Sequence, residues 1–266
     1  MTLPAYLREV VVEVGADPSI VIRNLRVAFR IQVDVTDKPE PSMVYVYNLA
    51  EDTAKGLTNK WAYLRLRAGY KGNTHIVAEG EVREVSTTIV EQNRITSFMI
   101  GGSDSTKITT TFNQDYEGNA NLRAIVTDIV TSMGLNIGTL TAIPSEVIPD
   151  FTFSGPARSA LDILLKPRGI SWYEDDGAIR FSSARQITES FPVYMISAGA
   201  GMIGSPSLTE TGVRATVLLT NELAIGQVVD IQSITVQGRY KVVKLVHEGD
   251  SWDGIFATEI ECVTLE

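Results

Sequence analysis

Cysteine is nearly absent from this 266-residue chain: Cys262 stands alone, so no internal disulfide framework can form. It falls at an apolar strand position, where a buried structural thiol is expected. Histidine occurs twice, as His75 and His247, and neither H-E-x-x-H nor G-x-S-x-G is present. A Ser-His-Asp triad is defined by geometry rather than order, so its absence from the motif scan leaves it open. The 32 Asp and Glu residues likewise offer many chance acid pairs, and nothing in the sequence selects one. No apolar run reaches the roughly 18 residues that span a bilayer as a helix. The N-terminal MTLPAYLREVVVEVG has no basic segment followed by an apolar block, so no signal peptide is expected. Basic residues are the minority, 23 against 32 acidic, for a net charge of −9. That balance disfavours binding to phosphate backbones and to anionic membranes, and favours solubility.

What is present reads as β structure at both ends. Tyr6 to Val14 makes a first strand, broken at Asp17-Pro18. Asn24 to Val35 alternates cleanly, with Leu25, Val27, Phe29, Ile31, Val33 and Val35 on one face and Arg26, Arg30, Gln32 and Asp34 on the other. Asp37 to Pro41 carries two prolines and reads as a loop. Ser42 to Leu49 returns as a strand. A short helix over Ala50 to Leu57 follows, with Asn48 as its expected cap and Glu51 and Asp52 in its first turn. Trp61 to Tyr70 places Leu64, Leu66 and Ala68 opposite Arg65 and Arg67. Lys71-Gly72-Asn73 turns the chain into His75 to Val90, and Arg94 to Ile100 follows Glu91-Gln92-Asn93. This half predicts an all-β barrel or sandwich of roughly six strands.

The middle changes period. Leu122, Ile125, Val126, Ile129 and Met133 predict an amphipathic helix over Asn121 to Met133, stopped at Gly134. Ser154 or Gly155 is expected to cap a second helix with Pro156 in its first turn and Ala157, Ala160, Leu161, Leu164 and Leu165 inward. Ile170 to Tyr173 and Ala178 to Phe181 predict a hairpin around Glu174-Asp175-Asp176-Gly177. From Gly204 to Leu265, short β runs again alternate with turn signals. On the last strand Phe256, Ile260 and Cys262 share one face, and Glu259 and Glu261 the other.

Candidate sites have bland alternatives. Gly199-Ala200-Gly201-Met202-Ile203-Gly204 matches G-x-G-x-x-G, but Ser205-Pro206-Ser207 follows and no helix begins there, so a glycine loop feeding a strand is expected rather than a nucleotide site. Asp175-Asp176 with Glu174, and Asp250 with Asp253, lack calcium-loop spacing and read as solvated turns. Trp61, Trp172 and Trp252 read as core or interface anchors. Glu79 and Glu81 share a face with Arg83. On a channel-lining strand they would present negative charge, and the alternative is an ordinary solvated face. No catalytic residue, metal or cofactor is expected.

The order of C-terminal features carries a resemblance. Gly204-Ser205-Pro206, Gly212-Val213, Leu218-Leu219, Gly226 and Val229-Asp230-Ile231 lead to Gly238-Arg239-Tyr240-Lys241-Val242 and His247-Glu248-Gly249-Asp250. This resembles the C-terminal part of baseplate hub proteins of contractile-tailed phages, related to phage late control protein D. Asn48, Leu49, Thr53, Ala68, Gly69, Tyr70, Gly72 and Gly80 resemble that family's first, tail-tube-like barrel. The resemblance implies a mainly β fold with an α+β insertion. Two tail-tube-like antiparallel β-barrel domains, 1–111 and 184–266, would be linked by an α+β unit, 112–183, containing two helices. It further implies a homotrimeric ring of pseudo-sixfold symmetry in the virion tail baseplate, assembled in the host cytoplasm. The implied partners are the central spike protein, the tail tube protein, the tape measure protein and baseplate wedge proteins. DNA would meet the ring only in passage, and an acidic wall such as Glu79 and Glu81 would let it slide; no membrane is involved. Another tail component, tube or distal-tail, and a cell-wall-degrading tail enzyme are the alternative readings.

Overall fold

The strands begin where period-2 apolar spacing meets a turn. The computed structural model describes residues 7–15, 20–34, 41–57, 63–100, 110–175, 178–183 and 192–265. The breaks read at Asp17-Pro18 and Asp37 to Glu40, the anchor Trp61 and the turn residues Asp176-Gly177 lie outside the described residues. In chain order the N-terminal part holds β1 (Arg8–Val14), β2 (Ile20–Ile22), β3 (Val27–Asp34), β4 (Ser42–Tyr47), α1 (Glu51–Gly56), β5 (Tyr63–Tyr70), β6 (Asn73–Val90) and β7 (Asn93–Ile100). Leu64, Leu66 and Ala68 are buried on β5, and Val27, Phe29 and Ile31 on β3, as their alternation predicts. β3 starts later than expected because Asn24 takes a positive φ of 62° in the preceding turn.

The middle of the chain forms β8 (Thr111–Asn121), α2 (Leu122–Ser132), β9 (Asn136–Ile137), β10 (Val147–Pro156), α3 (Ala157–Leu165), β11 (Ile170–Asp175) and β12 (Ala178–Ser183). The C-terminal part adds β13 (Tyr194–Ser197), β14 (Met202–Leu208), β15 (Gly212–Leu218), β16 (Val228–Gln232), β17 (Gln237–Asp250) and β18 (Phe256–Thr264). The fold is therefore mainly β, with an α+β unit between two β-rich stretches.

The described residues gather into two units, one within 1–101 and 191–264 and the other within 102–190. In the first unit the two ends of the chain share one sheet, in the order β14-β15-β18-β17-β3-β4-β7-β6-β5-β1-β2, with β16 on β17 and β13 on β16. The joint is the antiparallel pair β3–β17, in which Ile31 opposes His247 and Phe29 opposes Gly249. Two long strands turn corners of this sheet. β6 pairs with β5 through Asn73–Glu81 and with β7 through Val82–Val90. β17 pairs with β16 over its first residues and with β3 over its last. Strands that change partners midway let one sheet wrap around a core. That core includes Val12, Phe29, Val44, Leu64, Leu66 and Phe98, and is completed by Leu219 and Phe256 from the C-terminal part.

In the second unit the helices form as their spacing predicts. Leu122, Ile125, Val126, Ile129 and Met133 of α2 are buried with Ala157, Ala160, Leu161, Leu164 and Leu165 of α3. Asn121 caps α2 by accepting the Arg123 backbone N–H at 2.9 Å. The β11–β12 hairpin pairs Ile170 with Ser183 through Asp175 with Ala178.

Two expected caps are corrected. Asn48 does not cap α1, whose N-cap is Ala50. At a φ of 57° Asn48 instead accepts the Arg94 N–H at 3.0 Å and donates to Asn93 Oδ1 at 3.1 Å, tying β4 to the β6–β7 turn. Likewise Ser154 and Gly155 are strand residues of β10, and Pro156 is the N-cap of α3. Ser154 Oγ donates across the sheet to Asn113 Oδ1 at 2.8 Å, so it is unavailable to the helix. The G-x-G-x-x-G stretch spans the 3₁₀ turn Ala198–Ala200 and the start of β14: Gly201 and Gly204 have positive φ, and a strand, not a helix, follows.

Candidate assembly surface

Among the described residues no group of three or more His, Cys, Asp or Glu side chains could hold a metal ion. His247 is buried, and its Nδ1 lies 2.9 Å from Thr258 Oγ1. Burial pushes its pKa down to about 4, so it is a neutral core residue at neutral pH. His75 lies on β6, opposite Ala68. Cys262 is buried on β18, and burial pushes its thiol up to about 12, which leaves it inert as a nucleophile.

The first surface is a strand edge. Along Val82–Val90, β6 pairs with β7 on one side, and no described strand pairs with it on the other. These nine residues, VREVSTTIV, contain neither Pro nor Gly. At the hairpin tip Ile89 is 73% exposed and Val90 52%. A β-branched strand edge that no neighbouring strand covers is a template for a further strand. Three other described edge strands of the first unit are short or interrupted. β14 carries Pro206 and a register shift between Ile203 and Ser207, β13 has four residues, and β2 has three.

The second surface is the loop between β17 and β18. Asp250 accepts from Arg26 through Nε at 2.9 Å and Nη2 at 2.8 Å, and from the Trp252 N–H at 2.9 Å. Burial alone would raise the Asp250 carboxyl, but these donors outweigh it and hold its pKa below the usual carboxylate range. Arg8 clamps both ends of the loop, donating to the Asp250 carbonyl and the Gly254 carbonyl at 2.8 Å each. Ser251 bonds Val27 in both directions at 2.9 Å, and Gly254 takes the positive φ of 73° that closes the turn. On this frame Trp252 is 70% exposed and Ile255 56%. Trp252 is therefore not a core residue. Trp172 is partly buried against the second unit's core, with Nε1 donating to Asp162 at 2.9 Å.

The acidic pair singled out in the sequence lies on the β5 half of β6. Arg65 donates from Nε to Glu79 Oε2 at 2.8 Å, and its Nη1 lies 3.8 Å from Glu13 Oε2. Glu79 is half-buried and paired, whereas Glu81 is exposed opposite Tyr63.

Comparison with solved structures places the fold among phage tail proteins. The 43 kDa tail protein of prophage MuSo2 from Shewanella oneidensis matches with a TM-score of 0.64 at 11% identity, over 96% of this chain and 98% of that one. A tail protein from Neisseria meningitidis MC58 matches with a TM-score of 0.67 at 10% identity, over 97% and 96%. The E. coli c3393 protein is a component of the type VI secretion system with structural similarity to T4 tail proteins gp27 and gp5. It matches with a TM-score of 0.58 at 10% identity, over 91% and 73%. No curated protein matches the chain in sequence. Within this tail-protein class the family is defined by sequence: residues 8–262 match the family described as baseplate hub gp41, and the chain belongs to that family. Its role is structural, in the baseplate of a phage tail.

Proposed function

We propose that three copies of this protein close into a ring of pseudo-sixfold symmetry on the tail axis, joining the tail tube to the central spike. Each protomer supplies two tube-like barrels, within 1–111 and 184–266, on either side of the α+β unit of 112–183. The observation that carries this reading is the open edge of β6 over Val82–Val90. Paired with a different strand of the next copy, such an edge makes a head-to-tail contact that repeats around an axis and closes when the rotation allows. Backbone hydrogen bonds across that contact resist shear, as a part that transmits the thrust of sheath contraction must. The tape measure and wedge proteins are the remaining neighbours in this reading, and the ring is built in the host cytoplasm before it enters the virion.

The lumen then passes DNA without binding it. The net charge of −9 supports this, because a wall that does not neutralise phosphates releases no counterions and gains no affinity. Glu79 and Glu81 face that lumen in the proposal. Arg65 cancels much of the Glu79 charge, so Glu81 supplies the larger part of the repulsion. The mass of the purified protein, alone and with the spike, tests the ring. Three times 29.0 kDa, or trimerisation on adding the spike, is expected. A monomer that ignores the spike overturns the reading.

A further inference from the structure

Gly254 closes the β17–β18 turn at a φ of 73°, and its N–H is given to the side chain of the residue before it: Asp253 Oδ1 accepts it at 2.7 Å. The backbone nitrogen therefore lies against the carboxyl group that precedes it. In an Asp-Gly pair this proximity has a chemical consequence. A backbone nitrogen that attacks the preceding carboxyl carbon closes a five-membered ring, and glycine has no Cβ to stand in the way. Asp253-Gly254 is the one Asp-Gly pair among the described residues, and the sequence has no Asn-Gly pair.

The surroundings leave this ring closure open. Asp253 and Gly254 are exposed and lie in a bend, outside the strand ladder. A Cβ placed on Gly254 would meet no atom within 4 Å, so there is room for the carboxyl group to swing over the nitrogen. Asp250-Ser251, three residues earlier, shows the opposite arrangement. The Ser251 N–H is bonded to the Val27 carbonyl at 2.9 Å. Arg26 holds the Asp250 carboxyl ionised, and the carbon of a carboxylate is a poor target for a nucleophile.

We propose that Asp253 is a site of spontaneous covalent modification, at which the main chain rearranges to isoaspartate and releases the β17–β18 turn. In the first step the Gly254 nitrogen gives up its proton and bonds to Asp253 Cγ. A carboxyl oxygen leaves as water, and a succinimide remains. In the second step water adds to one of the two imide carbonyls. Opening at the Cγ–N bond restores Asp253. Opening at the bond to the Asp253 main-chain carbonyl leaves the chain running through Cβ and Cγ, with the main-chain carboxylate free. One water is lost and one regained, and nothing is oxidised or reduced.

The product carries one extra backbone carbon between Asp250 and Gly254. Arg8 bridges the carbonyls of those two residues at 2.8 Å each, and the Asp250 N–H bonds the Ile255 carbonyl at 2.9 Å. A lengthened turn cannot keep both ends on these partners. The inference is independent of the ring and of the spike.

The test ages the purified full-length protein at neutral pH and physiological temperature, folded in one sample and in urea in another. Digests are read by fragmentation mass spectrometry that separates isoaspartate from aspartate, and by labelling with an isoaspartate-specific methyltransferase. In the folded sample isoaspartate is expected to accumulate at Asp253, within several-fold of its rate in urea, while Asp250 stays unmodified. Asp253→Glu, whose cyclic imide would have six members and forms more slowly, is expected to remove the signal at that position. The modified fraction, isolated by chromatography, is expected to melt below the unmodified fraction of the same sample. Reaction at Asp253 in urea but not in the folded protein would mean that the turn shields it, and reaction in neither that the pair is inert; each overturns the inference. Equal melting of the two fractions overturns the release of the turn and leaves the site.

Discussion

His247 sits between Ile31 of β3 and Ala257–Thr258 of β18, at the strand pairings that join the two ends of the chain. Its ring is neutral when folded because burial without an opposing carboxylate penalises the cation. With a folded pKa near 4 against an ordinary 6.5, the unfolded chain takes up a proton first as pH falls. The stability this group contributes is therefore complete above about pH 6.5 and is lost progressively down to about pH 4. The full loss amounts to about 3 kcal/mol. Denaturation midpoints across that range should fall for the wild type and change less for His247→Gln, with any carboxylate contribution common to both. Gly212 shows a different residue-scale constraint. A Cβ there would lie 2.1 Å from the Cys262 carbonyl oxygen on the paired strand. Backbone cannot swing aside as a side chain can, so Gly212→Ala should destabilise the first unit by about 2 kcal/mol or more, read as a lower urea midpoint.

At the scale of elements, the helices and the half-buried strands were legible because one face of each meets a core. The spacing of Leu122, Ile125, Val126 and Ile129 marked α2, and that of Ala157, Leu161 and Leu164 marked α3, and all are buried together. Leu161→Ala should therefore cost about 3 kcal/mol, detected as a loss of thermal stability in the second unit's unfolding. The β8–β10 ribbon escaped notice for the opposite reason. Its sequence TFNQDYEGNAN has little apolar alternation, and its outer rungs are side-chain hydrogen bonds, Ser154 to Asn113 and Thr152 to Asp115. Its inner face shows only as Phe112, Tyr116, Phe151 and Phe153 spread over two distant segments. The candidate surfaces were half visible. Trp252 and the Asp250–Asp253 turn could be named, but their braces, Arg8 and Arg26, lie more than two hundred residues away in sequence. Asn48 misled because its side chain serves a turn on another hairpin, and local cap rules carry no information about that.

On the scale of the whole molecule, the question is whether the open edge of β6 is used. Natural sheets keep long edges from pairing by placing charge, proline or a bulge on them, as β14 does with Pro206 and its register shift. Val82–Val90 carries such devices only at one end, with Arg83, Glu84 and a register shift between Val82 and Glu84, and leaves Val85–Val90 as a run of small or β-branched residues to its tip. An unprotected edge of that length in a free monomer is an aggregation hazard; in a ring it is covered. Ser86 and Thr88 are exposed on this strand, so replacing both with Lys should leave the fold's stability within about 0.5 kcal/mol of wild type. Strand addition, however, would bring two unpaired cations against the incoming chain. If the proposed ring is built on this edge, the variant is expected to stay monomeric at concentrations where the wild type assembles, with light scattering behind a sizing column as the readout. A Ser86→Lys/Thr88→Lys protein that still assembles would mean that the ring is held by other surfaces and that this edge is covered by something else.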